Sequence, residues 1–542
     1  MLAIASSSSP IVNTRVPFWS PPISLLSKDI WLPISSNLIK YDWSFWNNYS
    51  KSLKSNSWFS VDLNIAKNFP QNPIIYDKNK LKTWKDSTKE GKQQLKDQKK
   101  TNTKSSKTGE LPPNSVKKIK LNPTQKQKEV LNNWMNTNRW VYNRGVKILA
   151  DDYEKNKDKP KEEKDYLTKT KVNNLCVNNS VFINKNQWAL DTPQEVRASA
   201  INDLFDNIKS SIALLKSGNI DHFEIKFKSK KEPQQSFKVR HRRTDYKKSL
   251  TQNAFIIYPT FFGKNGLKGL EMEIKAFKPL PNKIDHDSRL VKTRLGDWYL
   301  CIPIRVDKVN GIRGESQTSN SNSISNTRIC SLDPGVRTFQ TIFDVDGAMI
   351  EVGKNDMSKI YRLSLNNDNL QSRISQAHGK KKYRMKKALL RSFQKIKNLI
   401  KEVHNKLVCF LVQNYDVILL PSFETSQMVV KNVRKIRSKT VRSMLTWSHY
   451  SFKQKLLYKS SLTNGKCQVI ICGEEYTSKT CTRCGHIHEK LGGSKKFKCP
   501  KCKLEIDRDY NGARNILLKN SSHLGLRIQG TLGLPPVVIQ HE

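Results

Sequence analysis

Apolar and polar positions follow different rhythms along this chain. The segment VKKIKLNPTQKQKEVLNNWMNTNRWVYNRGVKIL, from Val116, opens on alternation and then moves to helical spacing, with Leu131, Trp134, Val141 and Tyr142 on one side. This predicts a short strand, a helix start marked by Pro123, and a long helix. A second helix is predicted over Pro193–Leu215, where Val196, Ala200, Leu204, Ile208 and Ile212 share a face. Residues 223–305 alternate more like strands, with turns at Gly263, Gly266, Gly269 and Pro279.

A Ser/Asn-rich spacer, ESQTSNSNSISNT (Glu315–Thr327), reads as a domain boundary. After it the pattern predicts an apolar strand with an acidic tip, a tight turn, and a second strand ending at Asp346-Gly347. A very basic helical region follows from Met357 to about Asn414, then a buried strand, DVILL. Residues 434–464 read as helical and Gln468–Gly473 as a strand. A cysteine-rich insertion and a helix from about Asp509 to Lys519 complete an α/β order. The first 110 residues differ: a Trp-rich patch between Trp31 and Trp58, then a polar run from Lys78 to Lys107 that reads as a flexible linker.

Composition sharpens this picture. The 542 residues allow two to four domains, and the apolar fraction of 37% is low for that length. Lys and Arg number 96 against 47 Asp and Glu, a net charge of +49. So basic a chain repels itself unless a polyanion neutralises it, and nucleic acid is the obvious one. The competing reading is a solvated Lys-rich surface from a compositional bias, which the abundance of Asn, Lys and Ser supports. No run of about 18 apolar residues predicts a membrane span. The N-terminus lacks the basic start and clean apolar stretch of a secretory signal.

Six of the ten cysteines are scattered; four form two knuckles, Cys481-x-x-Cys484 and Cys499-x-x-Cys502, separated by 14 residues. Each knuckle can present two thiolates to a tetrahedral zinc ion, and two knuckles close its shell, so the predicted role is structural. Free or redox thiols are the weaker reading. Among acidic residues, Asp333 ends an apolar strand before Pro-Gly, and Asp509 stands at a helix start just past the second knuckle. Metal-dependent phosphodiester cleavage needs carboxylates converging from separate elements. Either Asp alone is more often a turn residue or an N-cap. Two basic stretches fit a nucleic-acid path. Gly379–Lys397 sets Lys and Arg around an amphipathic helix, and Lys226–Lys248 interleaves Phe227, Phe237 and Tyr246 with cations. A solvated charged face is the alternative for each.

LDPGVRTF (Leu332–Phe339), YTSKTCTRCG (Tyr476–Gly485), FKCPKC (Phe497–Cys502) and DRDYNGARNIL (Asp507–Leu517) resemble segments of TnpB, the transposon-encoded RNA-guided nuclease family, and of its eukaryotic and giant-virus relatives called Fanzor. LNPTQKQ, RWVYNRGV and HFEIKFKSKKEPQQSF add weaker matches, and the likeness runs from about Val116 to Lys519. The resemblance implies an RNase H-like (RuvC) α/β nuclease domain over residues 328–520, with a zinc ribbon inserted at 476–506. It implies a lobe of mixed β-barrel (wedge) and helical recognition parts over 116–327. Residues 1–115 are an extension and linker, and 521–542 a tail.

It further implies three metal-binding carboxylates. Asp333 matches the first; Asp509 matches the last, with Asp507 a less favoured neighbour. The family's middle glutamate normally ends the strand matching DVILL, where this chain has Pro421. Relatives lacking it often use a glutamate just before the YTSKTC stretch, which makes Glu474 the preferred candidate, then Glu475, then Glu424. The implied cofactors are two catalytic Mg²⁺ and one structural Zn²⁺ on Cys481, Cys484, Cys499 and Cys502. The implied partners are a guide (omega) RNA, one per protein, and double-stranded DNA carrying a short adjacent motif, with no membrane. The implied address is a eukaryotic nucleus or a giant-virus factory, with Lys380–Lys387 a candidate nuclear signal. Three alternatives stand beside RNA-guided cleavage: a guided binder inactivated by Pro421, a transposase or its accessory, and an unguided zinc-ribbon binder. The sequence shows no separate helix-turn-helix signature for the second.

Overall fold

The computed structural model describes residues 113–521 apart from 161–162, 164, 183–184, 242–245, 249–252, 265–272, 282–283, 307–326, 346, 433 and 435, with the backbone of three short outlying strands. The Trp-rich patch, the Lys78–Lys107 run, Gly266, Gly269 and nearly all of the Glu315–Thr327 spacer lie outside the described residues. The chain divides into two units: residues 104–306, and residues 1–103 together with 307–542. Two outlying strands, β1 (Val61–Ile65) and β2 (Ile74–Ile75), fall in the second.

The 104–306 unit opens with strand β3 (Ser115–Asn122) and helix α1 (Gln125–Asn156). Thr124 caps α1, and Thr124 and Gln127 each bond the other's backbone N–H through a side chain, a capping box that fixes the predicted start. Helices α2 (Lys169–Cys176) and α3 (Gln194–Lys216) pack on α1. Gly145 lets the helices approach: a Cβ there meets Ile201 Cδ1 at 2.8 Å. The predicted apolar face of α3 is buried only at Val196, Ala200 and Leu204; Ile212, a turn or more later, is exposed.

Six further strands follow: β4 (Gln234–Val239), β5 (Tyr246–Lys248), β6 (Ala254–Ile257), β7 (Ile274–Ala276), β8 (Ser288–Thr293) and β9 (Trp298–Ile304). With β3 they form an antiparallel sheet ordered β4-β8-β9-β3-β7-β6-β5, open among the described residues rather than closed into a barrel. Its core gathers on Trp134, whose ring meets Phe262, Tyr258 and Phe237 edge-on at 5.0, 5.7 and 6.3 Å. Two expectations change here. Gly263 sits in a short helix, α4 (Pro259–Lys264), not a turn. Phe237 points inward from β4 and is fully buried, so it cannot stack on a base; Phe227 remains exposed.

The second unit is built on β10 (Ile329–Pro334), β11 (Gln340–Asp344) and β12 (Ala348–Val352), an antiparallel meander. The hairpin read from the sequence thus has a third strand, all of it buried. Helices α5 (Asp356–Gln376) and α6 (Gly379–Asn414) lead to β13 (Val417–Pro421). A short helix, α7 (Thr425–Met428), precedes α8 (Ser438–Trp447) and α9 (His449–Ser461), which break at Ser448 in the left-handed region (φ 53°). Strand β14 (Gln468–Cys472) comes next, then the hairpin β15 (Lys496–Lys498) and β16 (Glu505–Asp507), and helix α10 (Arg508–Ser521). Strand β17 (Arg527–Ile528) pairs with β2, and β1 adds an edge to β12, so part of the N-terminal extension joins this sheet.

The sheet order is β1-β12-β11-β10-β13-β14, with β13 and β14 parallel to β10. Alternation sorts its side chains onto two faces. Cys330, Leu332, Ile342, Ile350, Ile418 and Leu420 pack against α5, α6 and α9. Ile329, Phe343, Met349, Leu419, Ile470 and Cys472 pack against Ala513, Ile516 and Leu517 of α10.

Candidate active site and four-cysteine cluster

The α10 face of the sheet carries the acidic residues. Asp333 continues the series Ile329, Ser331 on that face, and the Ser331 hydroxyl donates to Ala513 O at 2.7 Å, pinning β10 to α10. The chain leaves β10 through Pro334-Gly335, where a Cβ on Gly335 meets Thr338 O at 2.6 Å; only glycine closes this turn. Asp509 stands in the first turn of α10, its N–H donating to Asp507 Oδ1 at 2.9 Å. One turn on, a Cβ on Gly512 meets Asp333 Oδ2 at 2.5 Å. A side chain there would have to displace the Asp333 carboxylate, which glycine leaves in place.

Electrostatics tie the three predicted carboxylates together. Burial, then the charges of Asp509 and Glu474, push the Asp333 carboxyl well above the ordinary carboxylate range, with Arg508 opposing. Burial and the neighbouring Glu475 raise Glu474 to about 6, against Lys519. Burial and Asp507 raise Asp509. Asp333, from a strand, thus faces Glu474, just past β14, and Asp509, on a helix. The other candidates lie near these acids or beside them but have partners of their own or stay exposed. Glu475 is exposed and bonds Lys519 Nζ at 2.6 Å, which holds its carboxyl below the usual range. Glu424 is exposed beside the short α7. Asp507 caps α10 and pairs with Lys495 at 3.4 Å. Pro421 is buried at the end of β13.

The four cysteines come together: all four sulfurs lie within 4.8 Å of one another, with Cys481–Cys502 at 3.5 Å and Cys484–Cys499 at 3.6 Å. A tetrahedral zinc ion with bonds of about 2.3 Å sets sulfurs about 3.7–3.8 Å apart, so the set fits one ion. Gly485 and Lys503, both at positive φ, turn the knuckles back. The opposite side of α10 grips this insertion. Asn511 accepts from Thr482 N at 3.0 Å and donates to Thr480 O at 2.7 Å. Asn515 donates to Thr477 O at 2.8 Å, and the buried Arg514 to Thr482 O at 2.6 Å. The segment DYNGARN therefore has two duties, acid and glycine toward the sheet, amides and guanidinium toward the cysteines.

Sequence reasoning missed Glu351, fully buried on β12, and its partners Tyr510 and Lys495. The alternation in AMIEV was the available signal, since it places an acid where a buried strand expects an apolar residue. Away from the site, α6 exposes Tyr383 and Phe393 among Lys380, Lys381, Arg384, Lys387 and Lys395.

Two family models match. One, described as Cas12f1-like, TNB domain, covers residues 449–516. The other, described as a helix-turn-helix domain, covers 114–158, a match the sequence reading does not anticipate. Those residues fold as β3 and the single helix α1, not as two helices about a turn. The chain is 30% identical to a putative transposase of Paramecium bursaria Chlorella virus 1, over 77% of this chain and 89% of that one. It is 24% identical to a TnpB-like protein of Acanthamoeba polyphaga mimivirus, over 74% and 72%. It is 39% identical to the CRISPR-associated endodeoxyribonuclease Cas12f1 of Sulfoacidibacillus thermotolerans, over 16% and 20%.

Proposed function

The chain belongs to the TnpB family of giant-virus transposase-like proteins, and from that premise we propose that it is an RNA-guided DNA endonuclease with a RuvC-type site. The carrying observation is that Asp333, buried at the end of a strand and against Gly512 of α10, feels the charges of both Glu474, just past a strand end, and Asp509, on that helix. The sheet order supports the RNase H-like reading: third, second, first, fourth, fifth, with the last two parallel to the first once β1 is set aside.

The donor set fits divalent cations, because the charges of Glu474 and Asp509 converge on the buried Asp333 carboxylate, and Gly512 puts no side chain against it. Asp333, Glu474 and Asp509 are the residues that would hold Mg²⁺. Two such ions activate water and stabilise the leaving oxygen when bound. The chain's own part is to fix these acids on rigid elements and to exclude bulk water by burial. Cys481, Cys484, Cys499 and Cys502 would hold one zinc ion that fastens the insertion to α10. The exposed cations and aromatics of α6 would supply phosphate and base contacts for a guide RNA or its DNA target; separately, the exposed Phe227 of the 104–306 unit offers a stacking face. The adjacent DNA motif and a nuclear or viral-factory address belong to the same reading.

The test is cleavage of a target DNA library by protein co-purified with RNA transcribed beside its gene. Mg²⁺-dependent cutting lost in Asp333→Ala, with one zinc equivalent per chain, is the expected result. Pro421 favours a second reading, a guided binder without activity. Tight RNA-dependent DNA binding by a wild type that never cuts would establish it.

A further inference from the structure

Glu351 is an anomaly in a buried strand, and its surroundings say what it does. Asp333 pairs with Thr341 and Thr341 with Glu351, so the three stand in line across β10, β11 and β12 on the α10 face. Four groups close on the Glu351 carboxylate. The Tyr510 hydroxyl donates to Oε2 at 2.9 Å and Lys354 Nζ to the same oxygen at 2.5 Å. The Thr338 hydroxyl donates to Oε1 at 3.3 Å, and Lys495 Nζ stands 3.6 Å from it.

These partners come from four segments. Thr338 belongs to the turn after Asp333, Lys354 to the loop after β12, Lys495 to the approach to β15, and Tyr510 to the first turn of α10. Tyr510 is the immediate neighbour of Asp509, and the Glu351 charge acts on Asp509 itself. A buried carboxylate persists only where charges and donors compensate it, and here two ammonium groups and two hydroxyls do so. Replaced by a neutral residue, it would remove the carboxylate that Lys354 and Lys495 share, leaving more positive charge beside the acids.

We infer that Glu351 is a positioning residue of the carboxylate site: through Tyr510 it fixes the turn that carries Asp509, and its charge offsets Lys354 and Lys495, which would otherwise oppose a divalent cation. This rests on the reading of Asp333, Glu474 and Asp509 as metal ligands.

The test is Mn²⁺ binding by the full chain with its cysteine-bound metal retained, followed by the paramagnetic resonance of free Mn²⁺. Wild type binds, and Asp333→Ala does not. Glu351→Gln weakens binding about tenfold, and Glu351→Gln combined with Lys354→Met recovers most of that loss. Tyr510→Phe, which leaves the charges alone, weakens binding about threefold and carries the test if Glu351→Gln fails to fold. Wild-type affinity in Glu351→Gln, or in Tyr510→Phe where that variant alone folds, overturns the inference. A loss that Lys354→Met does not recover also overturns it, since a merely structural role predicts no recovery. A wild type with no Mn²⁺ site would instead overturn the metal reading of the three acids.

Discussion

Glu474→Gln should make the metal-free protein more stable while ending its activity. Burial and Glu475 raise the Glu474 carboxyl from 4.5 to about 6. A raised folded-state value means the folded chain holds the proton more tightly than the unfolded one. The stabilisation is fully present below the unfolded value and is lost as pH rises through about 6. At pH 7.5 the ionised side chain therefore costs the metal-free fold stability. A shift of that size corresponds to about 2 kcal/mol, reduced to about 1–2 kcal/mol because the group is only half-buried. The neutral isostere removes this cost. In Mg²⁺-free buffer at pH 7.5 its melting temperature should rise by about 2–8 °C, and the gain should vanish below pH 4.5. Mg²⁺ should stabilise wild type more than the variant. Glu475→Gln should move the other way, because Lys519 holds that carboxyl below its ordinary range. A Glu474→Gln protein less stable than wild type at pH 7.5, or equally stabilised at pH 4.5, would refute the reasoning.

Gly512→Ala drives a Cβ to 2.5 Å from Asp333 Oδ2, and single-turnover cleavage should fall by about 100-fold or more, with wild-type rates the contrary result. Burial depresses His404 to about 4 and His449 to about 3 behind the Asp333 turn. Stability they contribute is present above about pH 6.5 and lost as pH falls toward 4; urea midpoints across that window should drop, less so in His404→Phe. Phe237→Ala should cost about 3–5 kcal/mol in denaturant unfolding. Phe227→Ala should leave stability unchanged and weaken RNA binding by about 1–3 kcal/mol in a filter-binding titration.

Long elements were legible because periodicity and caps agree in them. Helix α1 is marked in the sequence by Pro123 ahead of its apolar stripe, and in the structure the Thr124–Gln127 capping box fixes that start. The buried strand β13 and the cysteine spacing were equally plain. Short elements were less so. Strand β12 hid because AMIEV carries Glu351, whose compensation by Lys354 and Lys495 comes from loops that local pattern does not connect. Phe237 and Phe227 look alike in sequence, and only pairing with β8 decides that the first points inward. Edge strand β1 lies between the Trp-rich patch and the Lys78–Lys107 run, a stretch too short for its five residues to mark a strand by pattern.

The proposed move of the middle acid to Glu474 has a geometric rationale that spacing alone does not give. Strands β13 and β14 run parallel, and Pro421 pairs with Cys472, so the two strand ends lie side by side, about 4.8 Å apart. Leu419 and Pro421 on one strand, Ile470 and Cys472 on the other, alternate onto the same α10 face. Two residues past Cys472, Glu474 continues that alternation beyond the sheet edge, on the side where Asp333 feels its charge. Moving the acid from the end of one strand to just past the end of the next shifts its backbone by about one strand spacing, within the reach of a glutamate side chain. Proline is tolerated at the vacated position because it closes its strand, where one missing N–H costs little. Glu475, one residue on, is exposed and taken up by Lys519 of α10, and that ion pair distinguishes the two adjacent glutamates.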